Sequence, residues 1–354
     1  MRSCRSRMCR ILTIAGCCAV AASAVLVSPD AIARDDEKAV PPKPAAEANL
    51  REQLPRGVRM EKDIRYVPDD DEAHNLDLYL PETPAERPLP LIVHIHGGGW
   101  RGGGKFPCPV VDMVSRGYAV ASVEYRFSQK ALFPAQIQDC QAAIRWLRAN
   151  GKRYGIDGDR FGAIGESAGG HLSALVGTAG GKRAFPAIGG NEDQSDRVQA
   201  VCDIYGPANF GTVVRQAADD KNVRCVYSFS DHTNPYSQLI GTSLVGDKSR
   251  TDAVSPVHYV SKGCPPMLIL HGTHDAKVPF AQSEEFAAAL RSGGVPVWLQ
   301  SFPGAGHGGP AFAHPKIVAL KQAFFDRHLK GADVAVELVP PEEVAVGSPA
   351  PAVK

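Results

Sequence analysis

The stretch Gly165-Glu166-Ser167-Ala168-Gly169-Gly170-His171 constrains this chain more than any other. Before it, Arg160 to Ile164 reads as a short apolar strand; after it, Leu172 to Val176 reads as a small-residue helix. A serine at such a strand-to-helix corner adopts strained backbone angles, and its neighbours must lack bulk where strand and helix converge. Gly165, Gly169 and Gly170 meet that demand. Taken alone, the motif also fits a glycine-rich turn with an incidental serine.

The surrounding pattern supplies a scaffold. Leu76 to Leu80 alternates apolar and polar residues and stops at Pro81, as a half-buried antiparallel strand does. Leu91 to His96 opens on a continuous apolar run, which suits a strand covered on both faces. Strands and helices then alternate: helix Val110 to Arg116, strand Ala119 to Val123, helix Ala135 to Ala149, the strand and helix around Ser167, and strand Val201 to Tyr205. Helix Ala135 to Ala149 puts Ile137, Ala143, Ile144 and Leu147 on one stripe and leaves Gln141, Arg145 and Arg148 for water. Residues 206–262 break the rhythm with Pro207, Pro235, Pro256 and no long periodic run; so long an insertion at a strand end suits a binding site. Strand Met267 to Leu270, helix Ala281 to Ser292, strand Val297 to Phe302 and helix Lys316 to His328 resume it. From Gly331 a Pro/Ala/Val/Glu tail without packing pattern reads as disordered to residue 354. With 354 residues and 44% hydrophobic content the chain can bury one substantial core, placed at 59–330. The class is α/β, an alternating sheet with antiparallel strands at its start.

Residues 1–33 combine an Arg-rich start, an apolar run from Ile11 to Val27 and small residues at Ala31 and Ala33. That layout predicts a signal peptide cleaved after Ala33 or, second, Ala24, and hence a secreted or periplasmic protein. An uncleaved anchor ranks next and a lipid on Cys17 third. Residues 34–58 read as a linker rich in proline, alanine and charge. The formal charge of +1 includes four arginines and Asp30 in the leader, a net +3, which leaves −2 for the remainder by the same count. No nucleic-acid partner and no stable membrane partner is expected. Four of the nine cysteines lie in the leader, so five remain and at least one has no intrachain partner. Cys202 and Cys225 are the best candidate pair; buried reduced thiols are the equal alternative.

Three chemical features each follow a strand, at the sheet edge where open α/β sheets bind ligands. Ser167 is the candidate nucleophile and needs a base and an orienting carboxylate. The carboxylate falls to Asp275 in His271-Gly-Thr-His274-Asp275, ahead of Asp203 inside a strand and Asp252 within the insertion. The base falls to His307, in Gly304-Ala-Gly306-His307-Gly308-Gly309, in the chain order Ser, Asp, His. Third, His94-Ile-His96-Gly97-Gly98-Gly99-Trp100 can aim backbone amides at an oxyanion: Gly98 and Gly99, with Ala168 as a further donor. Gly99 to Lys105 matches the spacing of a phosphate-binding loop, but Phe106 stands where Ser or Thr would hold magnesium, which excludes that reading.

HGGGW at 96–100, GESAGGH at 165–171, HGTHD at 271–275 and GAGHGG at 304–309 together resemble the α/β-hydrolase superfamily. Within it the chain looks like carboxylesterases related to hormone-sensitive lipase and to feruloyl and acetylxylan esterases. The resemblance covers about Met60 to Lys330. It implies an α/β-hydrolase fold, a mostly parallel eight-stranded sheet flanked by helices with an insertion after the sixth strand. It also implies a Ser167/His307/Asp275 triad, an oxyanion hole of Gly98, Gly99 and Ala168, no metal and no other cofactor. Tyr125-Arg126 and Phe133-Pro134-Ala135 with Asp139 look like the structural brace of such enzymes. Glu166 in place of the lipase-like branch's Asp, and the lack of a long helical cap before His96, favour small or carbohydrate-linked esters, with a small-molecule or carbohydrate ester as substrate. Trp100, Tyr205 and residues 206–262 are expected to line the acyl or alcohol pocket. A kynurenine-formamidase-like amidase and a prolyl-oligopeptidase-type exopeptidase share the elbow and are the enzymatic alternatives; a binding protein on the same fold is the non-catalytic one.

Overall fold

Strands that precede two of the chemical motifs, Leu89–Ile95 and Met267–Gly272, are mostly apolar, and the architecture buries them almost throughout. A computed structural model describes residues 54–345 apart from 222, 230 and 231, so the expected leader and most of the linker fall outside the described residues. Strands β1 (Val58–Arg65), β2 (Asn75–Pro81), β3 (Leu89–Ile95), β4 (Ala119–Val123), β5 (Ile156–Glu166), β6 (Ala200–Ile204), β7 (Met267–Gly272) and β8 (Val297–Phe302) form one sheet. Its order is β1-β2-β4-β3-β5-β6-β7-β8. The β1–β2 and β2–β4 pairings are antiparallel and the remainder parallel.

Helices α1 (Ala135–Asn150), α2 (Ala168–Ala179), α3 (Val213–Asp219), α4 (Pro235–Ile240), α5 (Lys248–Val254), α6 (Ala281–Ser292), α7 (Pro315–Leu329) and the short α8 (Pro341–Val344) complete the chain. Strand alternation divides the core into two layers. Leu91, Val93, Ile95, Met267 and Ile269 pack with side chains of α1, α2 and α6. Ile92, Leu268 and Leu270 face the other way, against Phe324 and Phe325 of α7 and Met113 and Val114 of the 3-10 turn Val111–Arg116. Each such fully buried side chain contributes about 1.5–3 kcal/mol. From β3 the chain crosses to β4 on one side and then to β5 on the other, so the loops after β3 and β5 open on a crevice at the carboxyl ends of the strands. The HGGGW loop and the Ser167 corner are those loops.

Four expectations need correction. Gln141 and Arg145 of α1 are buried, because residues 184–198 lie over that side of the helix; Arg145 donates to the Ile188 carbonyl at 2.9 Å and Gln138 to that of Pro186 at 3.1 Å. The segment Val111–Arg116 is a 3-10 turn rather than an α-helix. Cys202 and Cys225 are both free, Cys202 buried in β6 and Cys225 half-buried in the insertion. Residues 331–345 are ordered against the edge strand: Gln300 of β8 exchanges two hydrogen bonds with the Val339 backbone, at 2.7 and 3.0 Å, and Val339 and Val344 are buried. The physical reason is the exposed edge of β8, which this segment covers.

The insertion folds into α3, α4, α5 and a 3-10 turn, and is tied to the corner helix through His171 of α2. His171 Nδ1 accepts from Trp100 Nε1 at 3.2 Å, and His171 Nε2 donates to the Val254 carbonyl at 2.7 Å. Burial lowers the His171 pKa to about 4, against the opposing pull of that carbonyl. Between pH 6.5 and 4 the unfolded chain therefore binds a proton that the native protein refuses. Stability from this group is fully present above pH 6.5 and is lost as pH falls toward 4, by up to about 3 kcal/mol. In thermal unfolding followed from pH 7 to 4.5, the wild-type midpoint should fall more steeply than that of His171→Gln; parallel curves would remove His171 from this linkage.

Candidate active site

Ser167 sits between β5 and α2 at φ 56° and ψ −116°, a conformation that a side chain beyond Cβ seldom takes. Its amide donates to the Ile204 carbonyl of β6 at 2.8 Å, which ties the corner to the neighbouring strand. Two loops from β7 and β8 converge on it. His307 Nε2 lies 2.8 Å from Ser167 Oγ, and His307 Nδ1 lies 2.6 Å from Asp275 Oδ2. Ionised Asp275 only accepts, so Nδ1 carries the proton and Nε2 is left to accept from the serine hydroxyl. Ser167, His307 and Asp275 are thus brought together.

Asp275 is held by more than His307. Its Oδ1 accepts from the amides of Lys277 and Val278 at 2.7 and 3.0 Å, and its Oδ2 accepts from His271 Nε2 at 3.1 Å. Burial alone would raise this carboxyl, but the hydrogen bonds from His271 and His307 outweigh it and hold Asp275 far below the usual carboxylate range. His271 is buried, and its Nδ1 lies 2.6 Å from Ser283 Oγ of α6, which fixes the ring. The sequence marks His271 only as a neighbour of the acid; its i−4 spacing from Asp275 was the available signal. The competing acids stand elsewhere. Asp203 is buried in β6 and accepts from the Gly206 amide at 2.9 Å, whereas Asp252 lies in α5 beside Lys248 and His258.

The glycine loop after β3 turns tightly: a Cβ on Gly98, at φ 116°, would lie 2.0 Å from the Gly102 carbonyl oxygen. The amides of Gly98, Gly99 and Ala168 donate to no acceptor among the described residues. His96 steadies the loop; its Nε2 lies 2.9 Å from Glu124 Oε1 and its ring stacks on Tyr125 at 4.4 Å. Tyr125 in turn donates to the His96 carbonyl at 3.0 Å, and Arg126 clasps Asp139 at 2.7–3.0 Å, the brace expected from the sequence. Lys105 pairs with Asp63 at 2.6 Å and Asp77 at 2.9 Å, so its ammonium is directed at carboxylates.

Trp100 is buried rather than exposed at the crevice. It is 2% exposed, in an aromatic cluster with His171, Phe210 and Tyr236 that joins the glycine loop to α2 and the insertion. Tyr205 stands beside the triad, its ring 4.5 Å from that of His307. The insertion reaches the same edge, where Val226 donates to the Ala276 carbonyl at 2.8 Å. One charged group was not anticipated. Beneath the corner, Glu166 Oε2 lies 3.1 Å from His94 Nε2, and His94 Nδ1 lies 2.9 Å from Ser122 Oγ, a polar row across β5, β3 and β4. Burial works against the charged imidazole, but Glu166 prevails and His94 is pushed up to about 10. Its signal was a histidine at an otherwise apolar strand position. Among the described residues no group of three His, Cys, Asp or Glu is arranged to hold a metal ion.

Known proteins are similar to this chain. The esterase LipQ of Mycobacterium tuberculosis is 33% identical over 251 residues, which cover 69% of this chain and 56% of LipQ. The chain thus spans little more than half the length of that relative. Among solved structures, a truncated carbohydrate esterase from gut microbiota superposes with a TM-score of 0.70 at 30% identity, covering 77% of this chain and 96% of that one. A thermophilic esterase of Thermogutta terrifontis with propionate bound gives 0.60 at 26% identity, covering 80% and 97%. Residues 76–290, more than half of the 354, match the BD-FAE family, and the chain therefore belongs to that family and has the α/β-hydrolase fold.

Proposed function

We propose that this protein is a serine carboxylester hydrolase acting on short-chain or carbohydrate-linked esters, of acetyl or feruloyl type. The observation that carries this reading is the continuous chain of hydrogen bonds from Ser167 Oγ through His307 to Asp275, next to three unengaged amides. In that mechanism His307 Nε2 takes the hydroxyl proton as Ser167 Oγ bonds to the ester carbonyl carbon. The carbonyl π pair moves onto oxygen, and the amides of Gly98, Gly99 and Ala168 meet the charge; one such donor is worth about 3 kcal/mol. As the tetrahedral adduct collapses, the C–O bond to the alcohol breaks and the alcohol oxygen leaves with the proton from His307. Water then repeats the cycle on the acyl-serine, giving the carboxylic acid and regenerating Ser167. Support for the ester class comes from relatives named as esterases, and for a sugar or short acyl group from the carbohydrate esterase and the propionate complex. Export to the periplasm or medium is part of the proposal and rests on the residue pattern of 1–33.

Two experiments test the assignment. With p-nitrophenyl esters of increasing acyl length, the wild type should be fastest on the shortest chains, and Ser167→Ala should lower kcat by about four orders of magnitude or more; an equally active variant would end the reading. The acid is tested by Asp275→Asn against Asp203→Asn. Loss of the Asp275 charge should lower kcat by about 10⁴-fold. Asp203→Asn should keep activity and gain stability in alkali, because burial raises the Asp203 pKa to about 6 against the pull of the Gly206 amide and the His271 charge. A carboxyl raised in the native state stabilises most below its unfolded pKa and loses that contribution as pH rises through 6. The Asp203→Asn midpoint should therefore exceed that of the wild type at pH 8 by more than at pH 5. Equal activity losses in the two variants would reopen the choice of acid.

A further inference from the structure

Beside the triad, on the face of the sheet covered by α7, lies a cavity of about 460 Å³. Small-molecule sites occupy roughly 300–1,000 Å³. Tyr205, Gly308 and Gly309 line it, so it begins at the residues that follow His307 in the chain and at the ring that packs on the His307 imidazole. A larger cavity, of about 810 Å³, lies beside Lys105 and Glu124 and includes no residue adjacent to Ser167 or His307.

Most of the smaller cavity's wall is apolar, with Ile204, Phe312 and Phe325 among its side chains, yet three charged groups also line it: Asp112, already paired with Arg116 at 3.2 Å, and two others, Glu166 and Lys321. Glu166 immediately precedes Ser167. One of its oxygens accepts from His94, the other has no hydrogen-bond partner among the described residues, and the side chain is 23% exposed. Burial would raise the Glu166 carboxyl, but the charge of His94, helped by that of Lys321, holds it below its usual range, so it is an anion. The second group is Lys321 of α7, whose ammonium makes no ion pair or hydrogen bond among the described residues.

The chemistry of this lining narrows what can occupy it. An alkyl group would cover the apolar wall but leave a carboxylate oxygen and an ammonium without partners, which is costly. An anion would meet Lys321 but be repelled by Glu166. A sugar ring offers apolar C–H faces to Tyr205 and Phe312, and hydroxyls that both donate and accept. The side of the triad matters as well. His307 hands its proton to the departing alcohol, so the alcohol leaves on the His307 side, where this cavity begins.

Resting on the ester-hydrolase reading above, we infer that this cavity receives the leaving alcohol and that the alcohol is a sugar, whose hydroxyls donate to Glu166 and accept from Lys321. Both side chains are then specificity-determining residues, and they act on the alcohol half of the substrate rather than on the acyl half.

The test compares an acetylated methyl xyloside with p-nitrophenyl acetate on the full chain, so that the acyl group is the same and only the alcohol differs. For Lys321→Met, and for Glu166→Gln, the ratio of kcat/KM for the sugar acetate to that for p-nitrophenyl acetate should fall about tenfold, the loss of one hydrogen bond to a charged group. The fall should appear mainly in KM for the sugar acetate, and Lys321→Arg should retain most of the ratio. Lys321→Met lies on α7 away from the His94 pair, so it stays informative if Glu166→Gln fails to fold. A ratio within twofold of wild type in Lys321→Met, or a wild type that cleaves p-nitrophenyl acetate but not the sugar acetate, overturns the cavity assignment alone. A wild type inert on both substrates overturns the ester-hydrolase reading with it.

Discussion

The approach of Gly169 to β3 governs the geometry of this molecule's chemistry. A Cβ at Gly169 would stand 1.9 Å from the Ile95 carbonyl oxygen, so α2 packs backbone to backbone against the end of β3. That contact sets the sharpness of the turn at Ser167, and therefore the height at which its hydroxyl rises above the sheet. It also fixes the first amide of α2, that of Ala168, relative to the loop after β3, which supplies the amides of Gly98 and Gly99. Ser167 and the proposed oxyanion donors are thus positioned by one backbone contact between α2 and the end of β3, and side-chain flexibility has little part in it.

The partners of Ser167 are positioned differently, by buried polar networks. Asp275 accepts four hydrogen bonds, from two imidazoles and two backbone amides, and the donors come from the end of β7, from the segment between β7 and α6, and from the loop after β8. A carboxylate so surrounded cannot rotate without leaving several donors unpaired in a low-dielectric site, which is why His307 has one tautomer and one orientation. Beneath the corner, the Ser122–His94–Glu166 row crosses three strands in the same manner. Buried ion pairs of this kind add little net stability over apolar residues of the same size. Their presence under the nucleophile marks a site where charge placement outranks packing.

Much of this was legible in the sequence, for a physical reason. Strands buried on both faces must be mostly apolar, so β3, β4 and β7 are bounded by their own composition, and the glycines at 98, 165 and 169 stand where backbones touch. Ser167, Asp275 and His307 each directly follow a strand and could be picked out by that placement. What failed depended on neighbours distant in sequence. Gln141 and Arg145 look solvated on the helical wheel, but residues 184–198 cover them. The segment after Gly331 has no periodicity of its own because it is held by scattered partners distant in sequence, Gln300 of the edge strand and Arg327 and Lys316 of α7. Trp100 follows the glycine loop and so reads as a pocket residue; only the folded insertion reveals the aromatic cluster that encloses it.

The fate of Trp100 changes how the insertion should be understood. Phe210 and Tyr236, from the insertion, pack on Trp100 next to the glycine loop, and His171 of α2 joins them through the Trp100 indole and the Val254 carbonyl. Residues 206–262 are therefore part of the support for the glycine loop. An insertion that only bordered the cleft could vary freely with substrate. One that also buries the tryptophan next to Gly99 must keep its aromatic anchors, and only its outward residues, such as Val226, are free to differ. Under the proposed hydrolase reading, substrate preference would be set on two sides: by the exposed surface of the insertion, and by the α7 side where Glu166 and Lys321 line the second cavity.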